Sequence, residues 1–117
     1  MANIPGVVYR CEGVEPWTMH FISDHVEVLT GYPATDFTHD RVRSFGSIIF
    51  FEDRDLVNGV VEEALSRGGS FSVEYRVIHS NGTARWVAEH GRVVVGRDGR
   101  PLWIDGVILE LSSQNGG

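Results

Sequence analysis

Two tight-turn signals divide the second half of the chain into three segments rich in β-branched and aromatic residues. Asn81-Gly82 separates segment 71–79 from segment 84–95, and Asp98-Gly99 separates the latter from segment 102–111. Asn-Gly and Asp-Gly supply the positive φ angles that tight β-hairpins require. The pattern predicts an antiparallel three-stranded meander, which leaves few fold classes open because consecutive strands usually lie side by side.

An amphipathic helix is predicted immediately before this meander, over residues 54–67. Asp53 is its candidate N-cap, and Gly68-Gly69 ends it. Two neighbouring rows of apolar side chains occupy about half of its surface: Leu56, Val60 and Ala64, and Val57, Val61 and Leu65. Such a broad apolar face must pack on another surface, and we expect that surface to be the meander.

The first fifty residues are predicted to contain two further strands and two short helices. Segments 6–11 and 17–22 have the composition of strands, with Trp17, Met19 and Phe21 expected on one face of the second. Helices are predicted over 25–30, ending at Gly31, and over 34–37. The polar segment 38–47 is expected to be a loop with helical turns.

Size and charge limit the functions that the chain can have. At 117 residues, with 42 % apolar and 22 % charged residues, it is expected to be one globular domain. A net charge of −6 argues against a nucleic-acid surface. We expect no membrane contact, no secretion leader and a cytoplasmic location. Cys11, the single cysteine, is expected to be a buried, inert thiol in a reducing compartment.

The sequence lacks the motifs of the common enzyme classes. It contains no lysine, so Walker, Schiff-base and general-base lysines are excluded. Nucleophile-elbow, zinc-protease and dinucleotide-binding motifs are absent from the sequence as well. We therefore expect no catalysis by this domain. An enzyme on a curved-sheet, cone-like fold is the weakest alternative, and it would need an acid–base pair in a deep pocket.

Four stretches with distinctive residue patterns follow one another in the chain. They are 22–33, with Leu29-Thr30-Gly31-Tyr32-Pro33 at its end; 52–54, before the long helix; the hairpin 74–87; and 98–107. In this order and spacing they resemble a PAS domain, of the PAS fold-3-like kind found in bacterial signalling proteins. The resemblance covers about residues 6–112, although Phe50-Phe51 stands where such domains usually carry His-Pro.

The resemblance implies a specific fold and a regulatory function. The fold would be α+β: a five-stranded antiparallel sheet in the order 2-1-5-4-3 with helices packed on one face. The chain would be a single PAS domain, 1–117, with its core at about 6–112 and a tail or linker start at 113–117. Such domains are sensory modules of larger signal-transduction proteins, of the histidine kinase or diguanylate cyclase type, and they form homodimers. An output domain would be covalently attached in the full-length protein.

The resemblance also suggests a ligand cavity between the long helix and the sheet. Its candidate wall residues are Val28, Ile49, Val60, Val61, Ala64 and Tyr75. Trp17 and Trp103 are candidates for a dimer face, because amphipathic aromatic rings suit interfaces. The aromatic residues Tyr9, Phe21, Phe71, Tyr75, Trp86 and Trp103 could line a pocket or fill the core, and core packing is the default.

No cofactor is expected, although an unknown small molecule remains possible. Haem-binding relatives place a histidine on the long helix, and residues 54–67 contain none. A flavin photosensor of the light-oxygen-voltage type needs a cysteine motif on its helical segment, whereas Cys11 lies in a strand. No metal site is expected, with His39 the one loop histidine considered for a haem or metal role. The alternative function is a ligand-free dimerisation scaffold.

Overall fold

A computed structural model describes residues 6–111 of the protein. Its five strands are β1 (Gly6–Cys11), β2 (Met19–Ile22), β3 (Ser70–Ile78), β4 (Ala84–Val95) and β5 (Pro101–Glu110). Its helices are α1 (Val26–Thr30), α2 (Ala34–Phe37) and α3 (Arg54–Arg67), with 3-10 turns at Phe45–Ile48 and Phe51–Asp53. The predicted tail, 113–117, lies outside the described residues.

The strands form one antiparallel sheet in the order β2-β1-β5-β4-β3, as predicted. β3, β4 and β5 are the consecutive meander, and β1 lies in the centre between β2 and β5. The register places Gly106 of β5 opposite both Tyr9 of β1 and Gly91 of β4. These three residues therefore follow one line across the middle of the sheet.

The two meander turns lie where the sequence predicts them, but they are longer than two residues. Five residues, 79–83 and 96–100, separate the strands. Gly82 and Gly99 have φ angles of 90° and 81°, so each glycine supplies the left-handed position that closes its turn. Asn81 and Asp98 instead accept a backbone hydrogen bond from the residue two places further on.

One face of the sheet, the inner face, is covered by the helices. α3 packs on β3 and β4, α1 on β1, and α2 on β2. The buried stripe of α3 is narrower than predicted: Val57, Val61 and Ala64 are buried, Val60 is half-buried, and Leu56 is 53 % exposed. Leu56 lies on the solvent side because α3 meets the sheet along a single stripe.

The second strand begins two residues later than predicted. Trp17 has a φ of 65°, and its amide donates to the carbonyl of Val14 at 2.9 Å, so residues 14–17 form a turn instead of strand. The predicted shared face of Trp17, Met19 and Phe21 is therefore wrong. Trp17 and Met19 are buried, whereas Phe21 is 54 % exposed on the outer face.

Part of the edge strand β3 is closed by the segment that leads into α3. The Phe50 amide donates to the Arg76 carbonyl at 2.8 Å, and Ile49 pairs with Val77. The Asp53 carboxylate accepts three hydrogen bonds from Arg76, from its backbone amide and from two guanidinium nitrogens, at 2.8–2.9 Å. Asp53 was predicted to cap α3, but its side chain makes no cap hydrogen bond.

Asp53→Asn is expected to lower the free energy of unfolding by about 1–3 kcal/mol at pH 7, because it removes a charge-assisted hydrogen-bond set. The hydrogen bonds from Arg76 hold the pKa of Asp53 below its usual value. This stabilisation is therefore present above the unfolded pKa of about 3.9 and is lost as the pH falls through the lower folded value. Urea unfolding of both proteins between pH 3 and 7 measures the difference.

Asp55→Asn is the matched control. It removes the same negative charge, but Asp55 is exposed in the first turn of α3. It should change the free energy of unfolding by less than about 0.5 kcal/mol. An equal loss in both variants would contradict the role assigned to the pairing of Asp53 with Arg76.

Candidate functional site

A small cavity lies between the inner face of the sheet, α3 and the segments before β2 and α3. Its volume is about 20 Å³, the space of about one water molecule. The residues that line it come from all five strands, from α3 and from the segments before β2 and α3: Tyr9, Cys11, Trp17, Met19, Phe45, Ile49, Val57, Val61, Phe71, Glu89 and Ile104.

The polar centre of this cavity is the carboxyl group of Glu89. Glu89 alternates with Val87 and Gly91 along β4, so its side chain points to the inner face. The Tyr75 hydroxyl donates to one carboxyl oxygen at 2.6 Å, and the Tyr9 hydroxyl donates to the other. We call these three residues the Glu89 triad; all of them are buried.

Two glycines make room for the Tyr9 ring to cross the sheet. A Cβ atom on Gly106 would lie 2.5 Å from the Tyr9 hydroxyl oxygen and 2.7 Å from the His90 carbonyl oxygen. A Cβ atom on Gly91 would meet the Phe71 ring first and would lie 3.0 Å from the Tyr9 hydroxyl. Gly91 and Gly106 are paired across β4 and β5, so the two positions without side chains lie next to each other where Tyr9 packs on the sheet.

Burial dominates the electrostatics of the cavity. It raises the pKa of Glu89 against the opposing effect of the two phenol hydrogen bonds. It also raises the pKa of Tyr9 and of Tyr75 far above the ordinary value, so both remain hydrogen-bond donors. Burial raises the pKa of Cys11, which keeps this side chain a neutral thiol, as the sequence predicted.

The structure brings some of the predicted wall residues together and separates others. Ile49 and Val61 line the cavity, and Tyr75 reaches it through Glu89. Ala64 is buried and Val60 half-buried, but neither lines the cavity. The assignment of Val28 is wrong: it is 63 % exposed because the single turn of α1 buries Val26 and Leu29 on its opposite side.

The two candidate dimer-face tryptophans have different surroundings. Trp17 is only 7 % exposed and lines the cavity, so its assignment to a dimer face is wrong. Trp103 is half-buried on the outer face, where the Arg10 guanidinium lies 4.2 Å from its ring centre. Arg10 also forms an ion pair with Asp105 at 2.6 Å, so Trp103 packs beside a pair of charged side chains.

Sequence analysis did not identify Glu89 as a site residue. The available signal was the alternation along 84–95, in which Val87, Glu89, Gly91 and Val93 occupy the inward positions. A glutamate in that row is unusual, because carboxylates are rarely buried without a partner. Two inward tyrosines on β1 and β3 could have been proposed as partners from the same alternation.

The described residues show neither a metal cluster nor a membrane span. In residues 6–111 no group of three or more histidine, cysteine, aspartate or glutamate side chains is arranged to hold a metal ion. His39, the loop histidine, is exposed. No helix in the same part of the chain is both long and apolar enough to cross a bilayer.

Comparison with known proteins identifies the family. The sequence profile of the PAS fold family matches residues 19–108. The chain belongs to the PAS fold family. A relative is the methyl sulfide methyltransferase-associated sensor of Methanosarcina acetivorans, 28 % identical over 109 residues. The match covers 92 % of this chain and 11 % of the sensor, so this PAS domain spans a small part of its relative's length.

Solved PAS structures share the fold. The N-terminal domain of a diguanylate cyclase with a PAS/PAC sensor from Marinobacter aquaeolei superposes with a TM-score of 0.76 at 17 % identity, over 90 % of this chain and 94 % of that one. A sensory box histidine kinase/response regulator from Burkholderia thailandensis gives 0.74 at 22 % identity, over 94 % and 79 %. The predicted PAS fold is confirmed.

Gly106→Ala is expected to lower the free energy of unfolding by about 1–3 kcal/mol, because the added methyl group overlaps the Tyr9 hydroxyl and the His90 carbonyl. Gly59→Ala is the matched control: nothing lies within 4 Å of its added Cβ on α3, so it should stabilise by about 0.5–1 kcal/mol. Thermal unfolding of both variants checks this. The same sign of change in the two would contradict the packing of Tyr9 against Gly106.

Proposed function

We propose that this PAS domain is the ligand-sensing module of a larger signal-transduction protein of the histidine kinase or diguanylate cyclase type. The small molecule would bind in the cavity between the sheet and α3, and a covalently attached output domain would carry any catalytic activity. The compartment proposed is the cytoplasm, which suits a chain whose Cys11 is a buried thiol outside any disulfide.

The observation that carries this proposal is the Glu89 triad at an otherwise apolar cavity. A cavity with apolar walls and a few polar groups is the usual form of a small-molecule site. The cavity also touches elements from both halves of the chain, with Met19 on β2, Phe45 in the 3-10 turn and Val61 on α3. A molecule larger than water would displace some of these side chains, so its binding would shift the population of their arrangements.

Native mass spectrometry of the purified chain is expected to detect a non-covalent small-molecule adduct that is lost on denaturation. Val61→Ile adds one methyl group in the cavity wall, so the adduct should fall at least threefold. Val60→Ile makes the same change on the neighbouring, half-buried residue that does not line the cavity, and it should retain the adduct. Equal adducts in the two variants would contradict binding in this cavity.

A ligand-free dimerisation scaffold is the second candidate function. Its support is the outer face of the sheet, where Val8 is 41 % and Phe21 54 % exposed beside the half-buried Trp103. Apolar side chains grouped on one face are typical of an interaction surface. The second copy of this chain would cover them in a homodimer.

Light scattering at increasing protein concentration is expected to give the mass of two chains. Phe21→Glu should weaken the dimer at least tenfold, because it places a charge in the proposed interface. Val28→Glu is the control, since Val28 is also exposed, at 63 %, but lies on the helical side of the domain. A wild-type monomer at high concentration excludes the scaffold, whereas a dimer without any adduct favours it over the sensor.

A further inference from the structure

The cavity presents hydrogen-bond acceptors to a bound molecule. The lining residues that carry polar side-chain atoms are Glu89, Tyr9 and Cys11 on the inner face of the sheet and Trp17 in the turn before β2. Of the described residues, 6–111, those that line the cavity include no arginine, lysine or histidine. A ligand with a phosphate or carboxylate would therefore enter without a cationic partner and would face a buried carboxyl group.

The hydrogen bonds within the Glu89 triad determine which hydrogen-bonding positions remain available to a ligand. A carboxylate can accept about four hydrogen bonds. Tyr75 and Tyr9 use one position on each oxygen, and both tyrosines direct their hydrogens toward Glu89. The Tyr9 hydroxyl has thus used its only hydrogen, and it too can offer only a lone pair to the cavity. Toward a ligand, the ionised Glu89 carboxylate and the Tyr9 hydroxyl therefore offer only acceptor oxygens.

We infer that the cavity selects a small neutral or cationic molecule that donates a hydrogen bond from a hydroxyl or amino group to Glu89 and is otherwise apolar. This inference rests on the proposed ligand-sensing function. The apolar remainder would contact Met19, Phe45 and Val61. A small molecule is required because the cavity of about 20 Å³ must expand to accept anything larger than water.

Four probes of similar length test the inference on the purified 117-residue chain: butan-1-ol, butylammonium, methyl propyl ether and butyrate. Backbone amide shifts of Glu89, Ile104 and Val61 would be followed by NMR during each titration. Butan-1-ol and butylammonium are expected to bind. Methyl propyl ether, which has the same number of non-hydrogen atoms as butan-1-ol but no donor, should bind at least fivefold more weakly, and butyrate should not bind.

Glu89→Gln separates the charge of the carboxylate from its shape. The amide keeps one acceptor oxygen, so butan-1-ol should bind within threefold of wild type, whereas butylammonium should bind at least tenfold more weakly. Glu62→Gln, which changes an exposed glutamate on α3, should leave both affinities unchanged. If Glu89→Gln fails to fold, Tyr75→Phe replaces it. Removing one donor leaves the carboxylate more basic, and butylammonium should then bind at least twofold more tightly.

The outcomes distinguish this inference from the proposed function. Binding of butyrate or of methyl propyl ether as tightly as butan-1-ol would overturn the selection for donors, while ligand sensing would stand. Unchanged butylammonium affinity in Glu89→Gln, or in Tyr75→Phe, would overturn it too. If the wild-type chain binds none of the four probes, the inference fails, whereas ligand sensing fails only if native mass spectrometry also detects no adduct.

Discussion

The inner face of a five-stranded sheet has to be covered, and α3 is too narrow to cover it alone. Five strands spaced at about 4.8 Å span roughly 20 Å, whereas a helix with its side chains is about 10 Å across. α3 covers the side formed by β3 and β4. The side formed by β1 and β2 is covered by residues 12–18 and 23–50, whose buried side chains include Trp17, Leu29, Phe37, Phe45 and Ile48.

The cavity lies where these two covers meet. Its walls include Val57 and Val61 from α3. They also include Trp17, Phe45 and Ile49 from the turns and short helices that cover β1 and β2. The regular helix packs along one stripe, so the remaining space must be filled by turns whose geometry is less regular. Trp17 has a positive φ in one of these turns. The Glu89 triad supplies the polar groups at the same junction, which places hydrogen-bonding capacity beside the small cavity in the core.

The sequence predicted those elements whose signals are local. The meander followed from the glycines of its two turns, and α3 followed from its apolar spacing and from Gly68. The strand order came from the resemblance to PAS domains, because nothing local to β1 states that it lies beside β5. Val28 was misplaced because α1 has only five residues, too few for periodicity to define a buried side. Glu89 was missed because its partners, Tyr9 and Tyr75, are distant in the sequence and meet it only across the sheet.

The closure of β3 by Phe50 and Asp53 has a consequence for the behaviour of the protein in a crowded solution. An open strand border offers backbone amides and carbonyls to any other chain, and such borders are a common starting point for aggregation. At Arg76 both backbone groups are already bonded within the molecule, and the Arg76 side chain is held there by Asp53. The pairing of Asp53 with Arg76, together with the hydrogen bond from Phe50, therefore keeps this part of the β3 edge unavailable for strand pairing with another chain.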